Sequence, residues 1–486
     1  MKIHACAVIR DAEQALFASG KSSSVELMST VVERLWQAML QEAELCCLEP
    51  QRVVVYAGRG NNAGDALGLA ARFGCPVTLR SVCAPDDFSA SSAEQYKLLA
   101  GHEVSTEAPK PQKGLLIIDG LLGSGASGEL RTPYAELVRE LNALRDASPQ
   151  SCTLAIDVPT GLNADTGAVP GEAVRADVTA VIGCVKPGMV ADGAEDYVGR
   201  LLCIPLPEVD LPAETEAQMA TSEVLRWLPR RAYSCFKNRA GRVNIVAGSV
   251  GYAGAAQLCA EAALAAGAGL VALYCREDVY PVLAARVAAE VMVNPIKSYA
   301  EVPVAGAQAL VVGPGLGRLQ GSEVRALHNL LLRCEVPPVL DADGLNMAAA
   351  YGWRLPEQAI LTPHPGEMRR LFPESAGMSR SECARRFVQK NPCTLLLKGA
   401  RSLITDGREL WYNSTGGPYM ANGGQGDVLA GCIGALAAQG LSPIQAAVAG
   451  AYACGEAAAR AYCHAGYPRA VRASQVVEML QQLGTR

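Results

Sequence analysis

Short apolar runs along this chain stop abruptly at glycine, asparagine or aspartate, and stretches with helical spacing lie between them. Val53–Tyr56 runs into Ala57-Gly58, Leu115–Ile118 into Asp119-Gly120, and Leu154–Ile156 into Asp157, with the helical stretch Tyr134–Leu144 before the third run. Continuous apolar runs bounded by turn residues read as strands buried on both faces. Alternating with helices, they predict a parallel sheet whose ligands bind at the carboxyl ends of the strands. The pattern resumes with different sequences further on. Val243–Ala247 runs into Gly248-Ser249, Leu310–Val312 into Gly313-Pro314-Gly315-Leu316-Gly317, and Val339-Leu340 into Asp341. Ala359–Thr362 then runs into Pro363-His364-Pro365-Gly366-Glu367, and Thr394–Leu397 into Lys398-Gly399. No repeat period relates the two halves. Between them, after the strand-like Arg200–Ile204, Pro205–Glu208 and Leu211–Glu216 form a proline- and glutamate-rich segment that reads as a domain boundary. The expectation is two α/β domains, over 1–210 and 220–486.

Length supports this division, because 486 residues exceed what one hydrophobic core usually spans. The net charge of −5 provides no basic face, which argues against nucleic acid and anionic lipid as partners and for a small soluble ligand. Seventeen cysteines are scattered through both halves, many in apolar runs (Cys152, Cys203, Cys259, Cys432, Cys454), with no Cys-x-x-Cys pair and no zinc-ligand spacing. They read as reduced core residues of a cytoplasmic protein. The N-terminus has no long apolar region after a basic start, so no signal peptide is expected. The most membrane-like stretch, Ala253–Cys275, is interrupted by Gln257, Glu261, Gly267 and Gly269. It reads as a helix, a glycine turn and the strand Leu270–Tyr274, so no membrane association is expected.

The chemistry-bearing stretch is Asn422-Gly423-Gly424-Gln425-Gly426-Asp427, which precedes an apolar run expected to be helical from Asp427 onward. Consecutive glycines let backbone N–H groups converge on one point, and a helix N-terminus adds partial positive charge there. Taken alone, Asp427 reads more readily as a helix cap than as a base. The glycine cluster shifts that balance, because a cap needs one glycine at most. Lys398 stands at a strand end, and no P-loop is present. In the first half, Gly58-Arg59-Gly60-Asn61-Asn62-Ala63-Gly64-Asp65 follows a strand and precedes Ala66–Arg72, expected to be helical; it would put donors where a diphosphate sits. Asn62, Asp119 and Thr160 offer oxygens suited to a hard monovalent cation.

The segments 248–271, 311–317 (VVGPGLG), 339–346 (VLDADGLN), 361–372 (LTPHPGEMRRLF), 395–404 (LLLKGARSLI) and 422–431 (NGGQGDVLAG) closely resemble the ADP-dependent NAD(P)H-hydrate dehydratase family, over nearly all of 222–486. The resemblance implies a ribokinase-like α/β domain. It further implies that Ala253, Gly315, His364 and Asp427 contact the hydrated nicotinamide nucleotide, and that Lys398, Gly399, Ala400, Arg401, Ser402 and Gly426 hold ADP, with a magnesium ion (Mg²⁺) on the phosphates. On spacing alone, His364 between two prolines reads as a turn-fixing residue; the resemblance favours a binding role.

Over roughly 50–205 the glycine turn, Asp119–Gly125, Asp157–Asn163, Ala176–Thr179 and Lys186-Pro187-Gly188 resemble the NAD(P)H-hydrate epimerase family. The expected fold is a Rossmann-like three-layer sandwich. By this resemblance Asn61, Asn62, Ala63, Gly64, Asp65, Gly123, Ser124, Gly125, Ala126, Ser127, Gly128, Glu129 and Asp157 bind the hydrate, and Asn62, Asp119 and Thr160 bind a potassium ion (K⁺). Asp157 is the candidate for proton handling or for stabilising a cationic ring as the hydroxyl leaves and returns. The chain departs from the family at Ala63 and Ala66, where glycines are expected, and at Val31 and Val32, where small residues would let a helix pack closely. Together the two resemblances imply a bifunctional repair enzyme whose ligands are the hydrates of NADH and NADPH (NADHX and NADPHX) and ADP, with room for a homo-oligomer. Two other readings stand beside it: a ribokinase-like kinase of a vitamin-precursor alcohol, and a non-catalytic nicotinamide-nucleotide sensor.

Overall fold

The computed structural model describes residues 1–42, 49–466 and 468–483, and the chain divides into two compact units, Met1–Met219 and Ala220–Arg486. In the first unit the apolar runs become β1 (Arg52–Ala57), β2 (Val77–Ser81), β3 (Val104–Ser105), β4 (Leu115–Gly120), β5 (Cys152–Ile156), β6 (Val178–Gly183) and β7 (Arg200–Pro205). They form a seven-stranded sheet in the order β3-β2-β1-β4-β5-β6-β7, every neighbour parallel. Alternate residues of one strand serve opposite faces. Val53, Val55, Leu116 and Ile118 pack with Leu67 and Ala70, whereas Val54, Tyr56, Leu115 and Ile117 pack with Leu137, Val138 and Leu141. The result is the expected three-layer, Rossmann-like arrangement, with the order reversing between β1 and β4.

In the second unit the strands lie in the order Val291–Ile296, Leu270–Arg276, Arg242–Val246, Ala309–Val312, Pro338–Leu340, Ile360–Leu361 and Thr394–Leu397, all parallel. Leu403–Thr405 and Leu410–Tyr412 extend it antiparallel. The order reverses between Arg242–Val246 and Ala309–Val312. Behind that point the helices Ala253–Ala265 and Gln425–Ala438 press together, with Gly431 set against the carbonyl of Cys259, where a side chain would collide.

Two helix starts differ from expectation. The helix after β1 runs Asn61–Ala70, not from Ala66, because Ala63, Gly64 and Asp65 are drawn into the core. Burial overrides the loop-like composition. The later helix begins at Gln425, not Asp427. Gly424 turns the chain in a left-handed conformation (φ 94°) just before it, so Asp427 sits inside the first turn and is not the cap.

The departure at Val32 is accommodated from across the helix interface, while Val31 packs with Leu16, Leu27, Leu206 and Val209. Helix Ser24–Gln41, started by a capping box between Ser23 and Glu26, lays Met28 and Val32 over helix Asn61–Ala70 where the latter carries Gly64 and Gly68. A Cβ at Gly68 would stand 2.7 Å from Val32 Cγ2. Likewise a Cβ at Gly120 would meet that of Ala66 at 2.5 Å, so the missing methyl there makes space for the one at Ala66. Ala63 and Ala66 are fully buried, and both methyls point into protein.

Candidate functional site

Each unit places its chemistry-bearing residues where the strand order reverses, the position at which open parallel sheets bind ligands. In the first unit the chain leaves β1 at Gly58, whose N–H donates to Gly120 O (3.0 Å) at the end of β4. A side chain at Gly58 would run into Leu121 O. Ser92 Oγ holds Gly60 O (2.8 Å), and Ser91 Oγ donates to Asn61 Oδ1 (2.8 Å). These serines belong to helix Ala90–Lys97 and carried no sequence signal.

Asp119 ends β4 fully buried. It accepts from Thr160 N–H and Thr160 Oγ1 (both 2.8 Å) and from Leu121 N–H (3.2 Å). Burial outweighs these bonds and pushes its carboxyl up to about 6. Thr160 Oγ1 also accepts from Leu122 N–H (3.0 Å), so the ends of β4 and β5 are stitched together. Asn62 Nδ2, buried on the first turn of helix Asn61–Ala70, has no partner. An amide can present its oxygen in that place instead, since the two ends of the group are assigned from their hydrogen bonds. Amide, carboxylate and hydroxyl oxygens are the donor types an alkali cation takes.

Asp157 follows β5 with φ 64°, a left-handed conformation that costs a non-glycine residue energy and is held by its surroundings. Its N–H donates to Ala180 O (2.8 Å), its Oδ2 accepts from Ser124 N–H (3.2 Å), and its Oδ1 pairs with Lys186 Nζ. A Cβ at Gly123 would lie 3.4 Å from both Asn62 Oδ1 and Asp157 Oδ2, so these side chains converge beside that glycine. Asp65 points inward and is buried; burial first, then the charges of Asp157 and Glu13, raises its carboxyl well above the ordinary range. Gly125, Ser127, Gly128 and Glu129 form an exposed limb beyond the cluster, and Ala126 N–H closes its base on Gly123 O (3.2 Å). Lys186 and Glu13 complete the cluster and were missed as site residues. Only the Lys186-Pro187-Gly188 motif hinted at the lysine.

In the second unit Gly248 N–H donates to Pro314 O (2.9 Å) and Ser249 Oγ to Gly315 O (2.8 Å), which ties the two central strand ends together. Gly315 nests against Tyr252 and the start of helix Ala253–Ala265. Asp341, at the end of Pro338–Leu340, is buried and accepts from Lys398 Nζ (2.6 Å) and Thr362 Oγ1 (2.8 Å). Gly426 closes over this pair: a Cβ there would lie 3.3 Å from Lys398 Nζ and 3.6 Å from Asp341 Oδ2. The first turn of Gln425–Ala438 leaves its N–H groups without intrahelical partners, and no side chain caps it. Asp427 stands in this turn. Burial, then the charge of Asp341, pushes its carboxyl up to about 7 against the opposing effect of Lys398.

His364 does fix a turn. It caps helix Pro365–Leu371, with its Nδ1 accepting from Gly366 N–H (2.9 Å), while its side chain remains 51% exposed, with Nε2 3.5 Å from Glu367 Oε1. Beneath it the buried Glu367 takes His364 N–H (2.8 Å). Arg380 donates to Arg401 O (2.9 Å) and packs under Gly399, holding the turn Lys398–Ser402. Asp341, Asp343, Thr362, Glu367 and Arg380 were not singled out from sequence. Asp343 accepts from Gly317 N–H (2.8 Å).

Among the described residues, no helix is long and apolar enough to cross a membrane, and no three His, Cys, Asp or Glu side chains are arranged to hold a metal ion. The cysteines there that the structure identifies as free thiols include the buried Cys259, Cys432 and Cys454; Cys152 and Cys203 are only partly buried.

Residues 243–482 match the family described as NAD(P)H-hydrate dehydratase, and residues 24–188 match the family described as YjeF-related protein N-terminus. The bifunctional NAD(P)H-hydrate repair enzyme Nnr of Coxiella burnetii is 34% identical over 93% of this chain and 93% of its own length. That of Escherichia coli is 36% identical over 87% of this chain and 84% of its own. An ADP/ATP-dependent NAD(P)H-hydrate dehydratase from Bacillus subtilis, co-crystallised with ATP and Mg²⁺, aligns with 56% of this chain and 98% of its own at 26% identity, with a TM-score of 0.49. With both family models matched in order, and relatives aligned across nearly the whole length, the chain belongs to the bifunctional NAD(P)H-hydrate repair enzymes.

Proposed function

We propose that the first unit interconverts the R and S hydrates of NADH and NADPH, and that the second dehydrates the S form with ADP, giving NAD(P)H, AMP and phosphate. The observation that carries the second half is the placing of Asp427. Its carboxyl is raised to about 7, so it can accept a proton at neutral pH and release it again. Asp427 takes the proton of the hydroxyl on C6 of the hydrated ring as that oxygen attacks the β-phosphorus of ADP. The bond from phosphorus to the bridging oxygen of AMP breaks. The C6–O bond then breaks with the electron pair leaving on phosphate, the ring nitrogen supplies electrons, and a proton lost from C5 restores the dihydronicotinamide. The open N–H groups of the Gln425 turn face the charge that develops on the transferred group, and Lys398 adds a positive charge anchored by Asp341.

Mg²⁺ fits as an ion carried on nucleotide phosphates, since it binds such groups with few protein ligands and keeps much of its water; bound there, it supplies neutralising charge. The kinase reading shares the nest and the aspartate but leaves the epimerase-like unit unexplained. In that unit Asn62, Asp119 and Thr160 supply a donor set suited to K⁺, and Asp157 faces the ring whose hydroxyl leaves and returns. Both reactions are those of a cytoplasmic enzyme acting on small ligands.

The test is direct. A mixture of R and S NADPH hydrates is given to the protein with ADP and Mg²⁺, and the return of dihydronicotinamide absorbance is followed. Full recovery is expected. Absence of recovery with ADP and with ATP rejects the dehydratase, and recovery that halts at the S fraction and then creeps at the spontaneous rate rejects the epimerase.

A further inference from the structure

Lys186 is 1% exposed, and nothing in the proposed chemistry yet uses it. Its ammonium pairs with Asp157 Oδ1 and donates to Ile182 O (3.1 Å), so it is fixed from two sides. Asp157 in turn has one oxygen on Lys186 and the other on Ser124 N–H, beside Gly123 and Asn62. Two carboxyls act on this lysine, Asp157 and Glu13 from helix Cys6–Ala18, and Asp65 from the helix after β1 stands near both of them. Only Asp157 bonds to the ammonium. Burial pushes the carboxyls of both Asp65 and Glu13 upward. Cys6 and Cys184 also face the ammonium.

We infer that Lys186 is a positioning residue for epimerisation: its buried ammonium turns Asp157 Oδ2 toward the space beside Gly123 and holds the carboxylate in its left-handed turn. The inference rests on the epimerase reading of the first unit. A ring that loses hydroxide from C6 becomes cationic, and a carboxylate fixed at one face stabilises that cation only while its orientation is maintained. A buried charge without its partner is instead expelled, neutralised or reoriented.

The full chain is assayed with purified R and S NADPH hydrates, ADP and Mg²⁺, with circular-dichroism melting to verify folding. Lys186→Met is expected to lower kcat for the R form about 100-fold with KM changed less than threefold, and to leave use of the S form at the wild-type rate. Lys186→Arg, which keeps the cation, is expected to regain at least a tenth of wild-type kcat. If Lys186→Met keeps kcat within threefold, or raises KM alone, the inference is overturned. Should Lys186→Met fail to fold, Lys186→Arg decides: a folded but inactive Arg variant overturns the inference, and an active one supports it. Failure of the wild-type chain to speed R-form use beyond the spontaneous rate overturns the epimerase reading and this inference with it, whereas an active wild type with an active Met variant overturns this inference alone.

Discussion

The two units use a lysine–aspartate pair in opposite ways. At the end of β5, Lys186 is bound to Asp157, the residue proposed to meet the ring. In the second unit Lys398 is bound to Asp341 (2.6 Å), and the proposed base, Asp427, stands beside that pair. Lys186 bonds Asp157 directly, whereas Asp427 is raised by burial and then by the charge of Asp341, against the opposing effect of Lys398. The first arrangement suits a fixed anion facing a cationic ring. The second suits a group that must take up and release a proton.

The largest expected effect breaks the second arrangement. Asp427→Ala should lower kcat for the S hydrate roughly 10³-fold while calorimetry still detects nucleotide binding; near-normal turnover would reject its role as base. Asp157→Ala should slow use of the R form about 10²-fold and leave the S form unaffected, and equal slowing of both forms would remove the contrast between the units. A subtler consequence concerns pH. Folded Asp427 keeps its proton up to about 7, whereas the unfolded chain releases it near the ordinary value of 3.8. Over that interval the folded state binds more protons, so the stabilisation is present at the acid end and lost as pH rises. Asp427→Asn should therefore melt higher than wild type at pH 8, with the difference disappearing near pH 4; an equal gap at both would contradict the burial argument. Smallest in effect, Gly68→Ala should cost about 1–3 kcal/mol in urea unfolding of the first unit through overpacking, since Val32 and Gln95 already occupy the space. An unchanged midpoint would show that the helices are not held so closely.

The strand ends were readable because apolar runs and their terminal glycines are local features. Asp119, Asp157 and Lys398 all fall where those runs stop. What escaped was partnership. Lys398 and Asp341 are 57 residues apart, and Lys186 and Asp157 are 29 apart; only the winding of the sheet brings each pair together. Asp427 taken alone resembles a cap because Asp is a common one, and the left-handed turn at Gly424 that starts the helix earlier is not encoded in the aspartate itself. Glu13 lies on a helix with no motif at all.

The facing of Val32 with Gly68, and of Ala66 with Gly120, has a bearing on how sequence motifs are compared. A methyl on one side of each contact meets a glycine on the other, so the room there is set by both positions together. A mismatch scored one position at a time counts as a loss. Scored across the contact, the same methyl fills room that the facing glycine leaves open.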